Sequence, residues 1–200
     1  TFIATANAIR YVGAVPVFAE VGKDYNLDLH SAKSLISKKT KAILLVHQIG
    51  MPADIDGFRK LCEEKNLILI EDAACAAGSS YKGKKIGSHS ELVCFSFHPR
   101  KSITTGEGGM LTTNNDEYAE KARKMRNHGA SVSEEQRHHG PKPYILPAFD
   151  ILGYNYRMTD LQGAVGVVQL KKLDKFINER QKWAEYYNNE FKNIAWLKTP

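Results

Sequence analysis

The chain has 200 residues, 42% of them hydrophobic, with 28 basic and 22 acidic side chains for a formal charge of +6. That is enough apolar material for a sizeable core in one or two domains, and ordinary glycine and proline usage excludes a collagen-like or low-complexity chain. No run of roughly eighteen apolar residues argues for a transmembrane helix, and lysines scattered as Lys121, Lys124, Lys171 and Lys172 read as solvated helix surface rather than a nucleic-acid stripe.

Residues 2–12 are rich in alanine and apolar groups and predict a helix ending at Gly13. Pro16–Ala19 predicts a short strand, and Leu29–Ser37 has helical spacing. Lys41–Val46 is a continuous apolar run, expected as a strand buried on both faces. Asp54–Lys65 predicts a helix with Ile55, Phe58 and Leu61 on one side. Leu67–Ile70 predicts a second buried strand, followed at once by Glu71 and Asp72. Glu91–Phe97 and Met110–Thr113 predict two more strands, and Asp116–Arg126 a charged amphipathic helix. Residues 128–152, carrying His138, His139, Gly140, Pro141 and Pro143, read as a long loop of the functional or mobile kind. A helical pattern resumes after Thr159–Asp160 and runs to about Asn193.

Strands alternating with helices predict an α/β fold, a mixed and mostly parallel sheet flanked by helices with right-handed crossovers. The expected domains are 1–157, part of a large domain, and 158–200, a long helix leading to a second, small one. Thr1–Arg10 has neither an initiator methionine nor the layout of a signal peptide, so the chain is expected to be an excerpt. The cysteines, Cys62, Cys75 and Cys94, have no metal-site spacing and are odd in number, which points to a reducing cytoplasm.

Asp72 ends an apolar strand, where a carboxylate is costly unless a cation or several donors meet it. Glu71 beside it should face the other side of the sheet, because strand side chains alternate. Carboxyl ends of strands are where ligands bind in open α/β sheets, but an aspartate there can equally cap a following helix. Taken alone, Asp72 favours the cap. Ser96, His98 and Lys101 follow the third strand and precede Gly106-Glu107-Gly108-Gly109, a loop that fits neither the Walker nor the dinucleotide pattern. A lysine in a crowded, partly dry site can attack a carbonyl; most loop lysines are simply exposed. An acid at one strand end and an amine after another could share a cleft, which is the arrangement pyridoxal 5'-phosphate needs. His138 and His139 lack a third metal ligand at suitable spacing and read as polar loop. Tyr81–Lys85 reads as a surface turn.

Several segments together carry a resemblance: Thr1–Ile9, Glu71-Asp72-Ala73-Ala74, Cys94–His98, Lys101, Ile103–Met110 and Gly153–Asp160. In this order they resemble the DegT/StrS-type pyridoxal-phosphate sugar aminotransferases, which have the type I aminotransferase fold. The resemblance implies that Lys101 holds the cofactor as a Schiff base and later shuttles a proton, and that Asp72 pairs with the pyridinium. It implies Ser96 at the cofactor phosphate, Phe2 stacked on the ring, and Asn155 offered to the phosphate by the other subunit of a homodimer. Cys75 stands where the family more often has Gln or His, beside the ring's phenolic oxygen, and a thiol donates weakly there. His98 could orient the lysine or make a structural hydrogen bond. The resemblance further implies a nucleotide-linked keto sugar as acceptor and an amino-acid donor, glutamate. A sugar dehydratase of the same family is the nearest rival, but it commonly has His at the position of Lys101. A non-catalytic regulator or inert fragment is the rival from another class, and a nicotinamide oxidoreductase is distant, since no Gly-x-Gly-x-x-Gly follows a predicted strand.

Overall fold

The computed structural model describes residues 2–132 and 134–199. The chain opens with α1 (Ile3–Tyr11) and α2 (Leu29–Ser34), the latter capped by Asp28, which accepts from the Ser31 N–H. The strand expected at Pro16–Ala19 does not form. Val17 and Phe18 are exposed, and the pairing that does occur nearby is a single bridge between Val21 and Leu27.

β1 (Ala42–Val46) and β2 (Ile68–Asp72) run parallel, with Ala42 opposite Ile68 and Val46 opposite Asp72. Between them lie a short turn at Gln48–Gly50 and α3 (Ile55–Lys65), making one crossover unit. Asp54 starts α3 by accepting from the Gly57 N–H, and Asn66 ends it in the left-handed conformation, a role short polar residues tolerate. Ile55, Phe58, Leu61 and Cys62 form the helix's buried side and share one core cluster with Leu45, Leu69 and Val93. That burial alternates along β1 and β2 instead of covering both faces. Ile43, Leu45, Leu69 and Glu71 are buried; the other face is half-covered and carries Asp72.

A small hairpin, β3 (Ser80–Tyr81) with β4 (Lys84–Lys85), replaces the simple turn expected there. β5 (Val93–Ser96) then adds in parallel to β2, Asp72 opposite Cys94. β6 (Gly109–Thr112) reverses and pairs antiparallel with β5, giving the order β1-β2-β5-β6. The sheet is therefore mixed and mostly parallel, as the alternation of elements predicts. Beyond it come α4 (Asp116–Arg126), capped by Asn115, and the 128–152 stretch. That stretch is not all loop: it contains α5 (Glu134–His139), ending on His138 and His139, and a bridge from Ala130 to Phe149.

α6 (Asp160–Phe191) begins with a reciprocal capping box between Thr159 and Gln162. Its first half lies against the loops at the carboxyl ends of the strands. Gln162 Nε2 donates to Glu107 O at 3.0 Å, Gln169 Oε1 accepts from the Thr104 N–H at 3.4 Å, and Leu173 and Ile177 sit over Gly78. Its far end leaves Trp183, Tyr186 and Tyr187 exposed. Among the described residues, no helix is long and apolar enough to cross a membrane.

Candidate active site

The parallel register brings the ends of β2 and β5 to one rim of the sheet. Asp72 ends β2, and its two carboxylate oxygens are held separately. Oδ2 accepts from Thr5 Oγ1 of α1 at 2.7 Å, and Oδ1 accepts from the Ala74 N–H at 3.0 Å. No helix follows β2, so the local bond is a turn rather than the helix cap considered from sequence. The turn carries Cys75, whose Sγ accepts from Lys101 Nζ at 3.3 Å. The Lys101 amine thus reaches the turn that follows Asp72.

Lys101 is half-buried. Its N–H donates to His98 O at 2.9 Å, and the segment around it is closed by its own hydroxyls. Thr104 Oγ1 donates to Phe97 O at 2.9 Å and accepts from the Gly106 N–H at 2.9 Å; Thr105 Oγ1 donates to Glu107 O at 2.8 Å. Gly106, at φ +82°, makes the reversal that a side chain would strain. His98 is spent on this loop: Nδ1 accepts from the Arg100 N–H at 3.2 Å and Nε2 stands 3.8 Å from Glu107 Oε1. Its structural role is therefore the one seen.

Ser96 closes β5, its Oγ accepting from the His98 N–H at 3.4 Å. Cys94 and Ser96 fall on the Asp72 side of the sheet by strand alternation. Desolvation first, then the neighbouring Asp72 charge, pushes the Cys94 thiol up from its ordinary value. Phe2 is the residue preceding α1, three positions before Thr5, and is 69% exposed. Asn155 bridges to Asn127 beside the end of α4 and is exposed; among the described residues no hydrogen bond ties its side chain to the cluster. The structure thus brings Lys101 onto Cys75 in the turn after Asp72, sets Ser96 at the neighbouring strand end, and leaves Asn155 apart. Sequence reasoning missed Thr5, a hydroxyl in an alanine-rich helix whose spacing gives no sign of a distant carboxylate. It also missed Gln162 and Gln169, which brace the lysine loop from α6.

The donor set has a specific chemical character. Among the described residues, no basic side chain lies within ion-pair distance of Asp72, and no acidic one within that distance of Lys101. The carboxylate is held and oriented but lacks a cation, which suits a protonated ring nitrogen. Among the described residues, the amine's hydrogen-bond partner is the weakly accepting Cys75 thiol, a bond that the amine can give up when it attacks a carbonyl carbon. These residues fit a flat carbonyl compound with a basic ring nitrogen.

A family profile described as the DegT/DnrJ/EryC1/StrS aminotransferase family matches residues 1–200. The chain belongs to the DegT/DnrJ/EryC1/StrS aminotransferase family. The family match takes in every residue of the cluster. Among relatives of this family, a GDP-perosamine synthase from Vibrio cholerae is 40% identical over 195 residues, covering 97% of this chain and 50% of the relative. Among solved structures, Helicobacter pylori PseC, an aminotransferase involved in the biosynthesis of pseudoaminic acid, superimposes with a TM-score of 0.90 at 35% identity. The overlap covers 98% of this chain and 50% of that one. DesV of S. venezuelae, solved with a ketimine intermediate, gives a TM-score of 0.86 at 32% identity, covering 100% of this chain and 52% of that one. The chain spans about half the length of the curated relatives it matches.

Proposed function

We propose that this protein is a pyridoxal 5'-phosphate-dependent aminotransferase that moves an amino group from glutamate to a nucleotide-linked keto sugar. The observation that carries the reading is the contact of Lys101 with Cys75 in the turn that follows Asp72, whose carboxylate is ordered by Thr5 and Ala74. Relatives named for GDP-perosamine and pseudoaminic acid support the sugar as acceptor.

When bound, the cofactor supplies an aldehyde that condenses with amines and a ring that takes up electrons from the adjoining carbon. Lys101 would hold that group through its Nζ, and the same amine, when free, would carry a proton to and from the reacting carbon. Asp72 keeps a proton on the ring nitrogen. Thr5 and the Ala74 N–H fix its oxygens, so that little reorganisation is needed as charge develops. Ser96 offers a hydroxyl to the phosphate, Phe2 an aromatic face to the ring, and Cys75 a thiol beside the phenolic oxygen. Asn155 completes the phosphate site from the second subunit of a homodimer. Residues 1–157 form the cofactor-binding domain, and 158–200 lead to a small further domain. A cytoplasmic location goes with this reading, since all three cysteines are free.

The full-length protein is expected to turn yellow with pyridoxal 5'-phosphate, and borohydride should bleach the colour and tag Lys101 in a peptide map. Glutamate should then drive transfer to a keto-sugar nucleotide. Dehydration without net amine transfer would move the assignment to a sugar dehydratase, and absence of both colour and tag would remove the catalytic reading.

A further inference from the structure

His47 and Glu71 are both fully buried, at 0% exposure, and neither takes part in the chemistry described above. Glu71 is the neighbour of Asp72 on β2, facing the core side of the sheet. His47 follows β1. Its Nε2 lies 2.8 Å from Glu71 Oε2, and its Nδ1 accepts from the Ala53 N–H at 3.1 Å. Because Nδ1 is an acceptor, the ring proton sits on Nε2 and is donated to Glu71. The backbone N–H of His47 also donates, at 3.0 Å, to the carbonyl oxygen of Asp72 itself. One residue therefore grips both members of the Glu71-Asp72 pair, one through its ring and one through its main chain.

We infer that His47 is a positioning residue for Asp72. This rests on the proposed role of Asp72 at the ring nitrogen. The two bonds from Asp72 to Thr5 and Ala74 set where its carboxylate points only if the main chain at the end of β2 stays in place. The strand ends there: Ala73 still donates to Cys94 O, and the chain then turns. Glu71 anchors that last residue pair from the opposite face, but its other oxygen, Oε1, has no hydrogen-bond partner among the described residues. The His47 ring is thus what keeps Glu71 seated, and without it a buried carboxylate would be left searching for a donor. The strand end would shift to give it one, carrying Asp72 along.

The test is a double-mutant cycle read by the equilibrium affinity of the full-length protein for pyridoxal 5'-phosphate and by the absorption maximum of the complex. His47→Gln is expected to weaken cofactor binding about tenfold and to shift the band when Asp72 is present. In the Asp72→Asn background the same change should cost less than about twofold, since a residue acting through Asp72 has nothing left to position. Glu71→Gln keeps an acceptor for Nε2–H and should stay within about threefold of the native affinity. Equal losses from His47→Gln in both backgrounds would overturn the inference, as would a tenfold loss from Glu71→Gln. If His47→Gln does not fold, His47→Asn runs the same cycle. A native affinity and band for Asp72→Asn alone would instead sink the reading of Asp72, which is a separate failure.

Discussion

Thr5 supplies the hydroxyl that holds one oxygen of Asp72, and Thr5→Val would remove it while keeping the shape of the side chain. A hydrogen bond to a charged group contributes about 1.5–3 kcal/mol, so cofactor affinity should fall on the order of tenfold with little change in thermal midpoint. The three thiols should separate by reactivity. Cys75 is exposed and should alkylate first in the cofactor-free protein, followed by Cys94, whose thiol is pushed up by desolvation and by Asp72. Cys62 should react last. It is buried in the core, and desolvation, then the Glu63 charge, raises its pKa to about 11. A folded value above the ordinary 9.0 means that the folded state holds its proton longer than the unfolded chain. The Cys62 contribution to stability is thus complete below pH 9 and is lost as the pH climbs through about 11. Urea denaturation of native protein and Cys62→Ala at pH 8 and pH 10.5 should show the native protein losing more stability than the variant. Mass spectrometry after timed alkylation checks the order of labelling.

α3 covers the core face of the sheet and α6 braces the lysine loop. Phe58→Ala would open a cavity at the centre of the α3 contact and should cost about 3–5 kcal/mol in a denaturant titration. Thr159→Ala breaks the capping box and should cost about 1 kcal/mol. It should also loosen Gln162 from Glu107, read as faster hydrogen exchange across 102–108. Much of this level was legible in the sequence. α3, α4 and α6 announce themselves by caps and apolar spacing, and β1, β2, β5 and β6 by apolar runs. Asp72 and Lys101 stood out as candidates because chemistry-bearing side chains lay where a strand should end, and Asp72 does end β2 while Lys101 follows β5. The missing strand at Pro16–Ala19 was not legible, because an apolar run says nothing about whether a partner strand is at hand. Nor was the one-sided burial of β1 and β2, since both faces are apolar and only the fold decides which α3 covers. Thr5, His47 and the α6 glutamines escaped for the same reason. Their partners lie 67, 24 and 55 to 65 residues away, and nothing local marks the meeting.

At the scale of the whole molecule, the 144–156 segment exposes Tyr144, Leu146, Phe149, Leu152 and Tyr156, and Asn155 lies within it. A second copy seated there would cover this apolar surface and carry Asn155 to a neighbouring site, in line with the proposed homodimer. Leu152, 79% exposed, is the side chain to charge. Leu152→Asp should shift the full-length protein from dimer to monomer in light scattering at micromolar concentration and weaken cofactor binding with it. The reversal of β6 bears on motion at this same rim. Ser96 pairs with Gly109, and Phe97 and Gly108 join just beyond, so the segment bearing Lys101 leaves the sheet and returns to it at one place. Lys101 is thereby leashed at both ends to a rigid plate. The reach of its amine from that anchored segment is set by its own four methylenes, which would confine the nitrogen to one short arc in the proposed reaction.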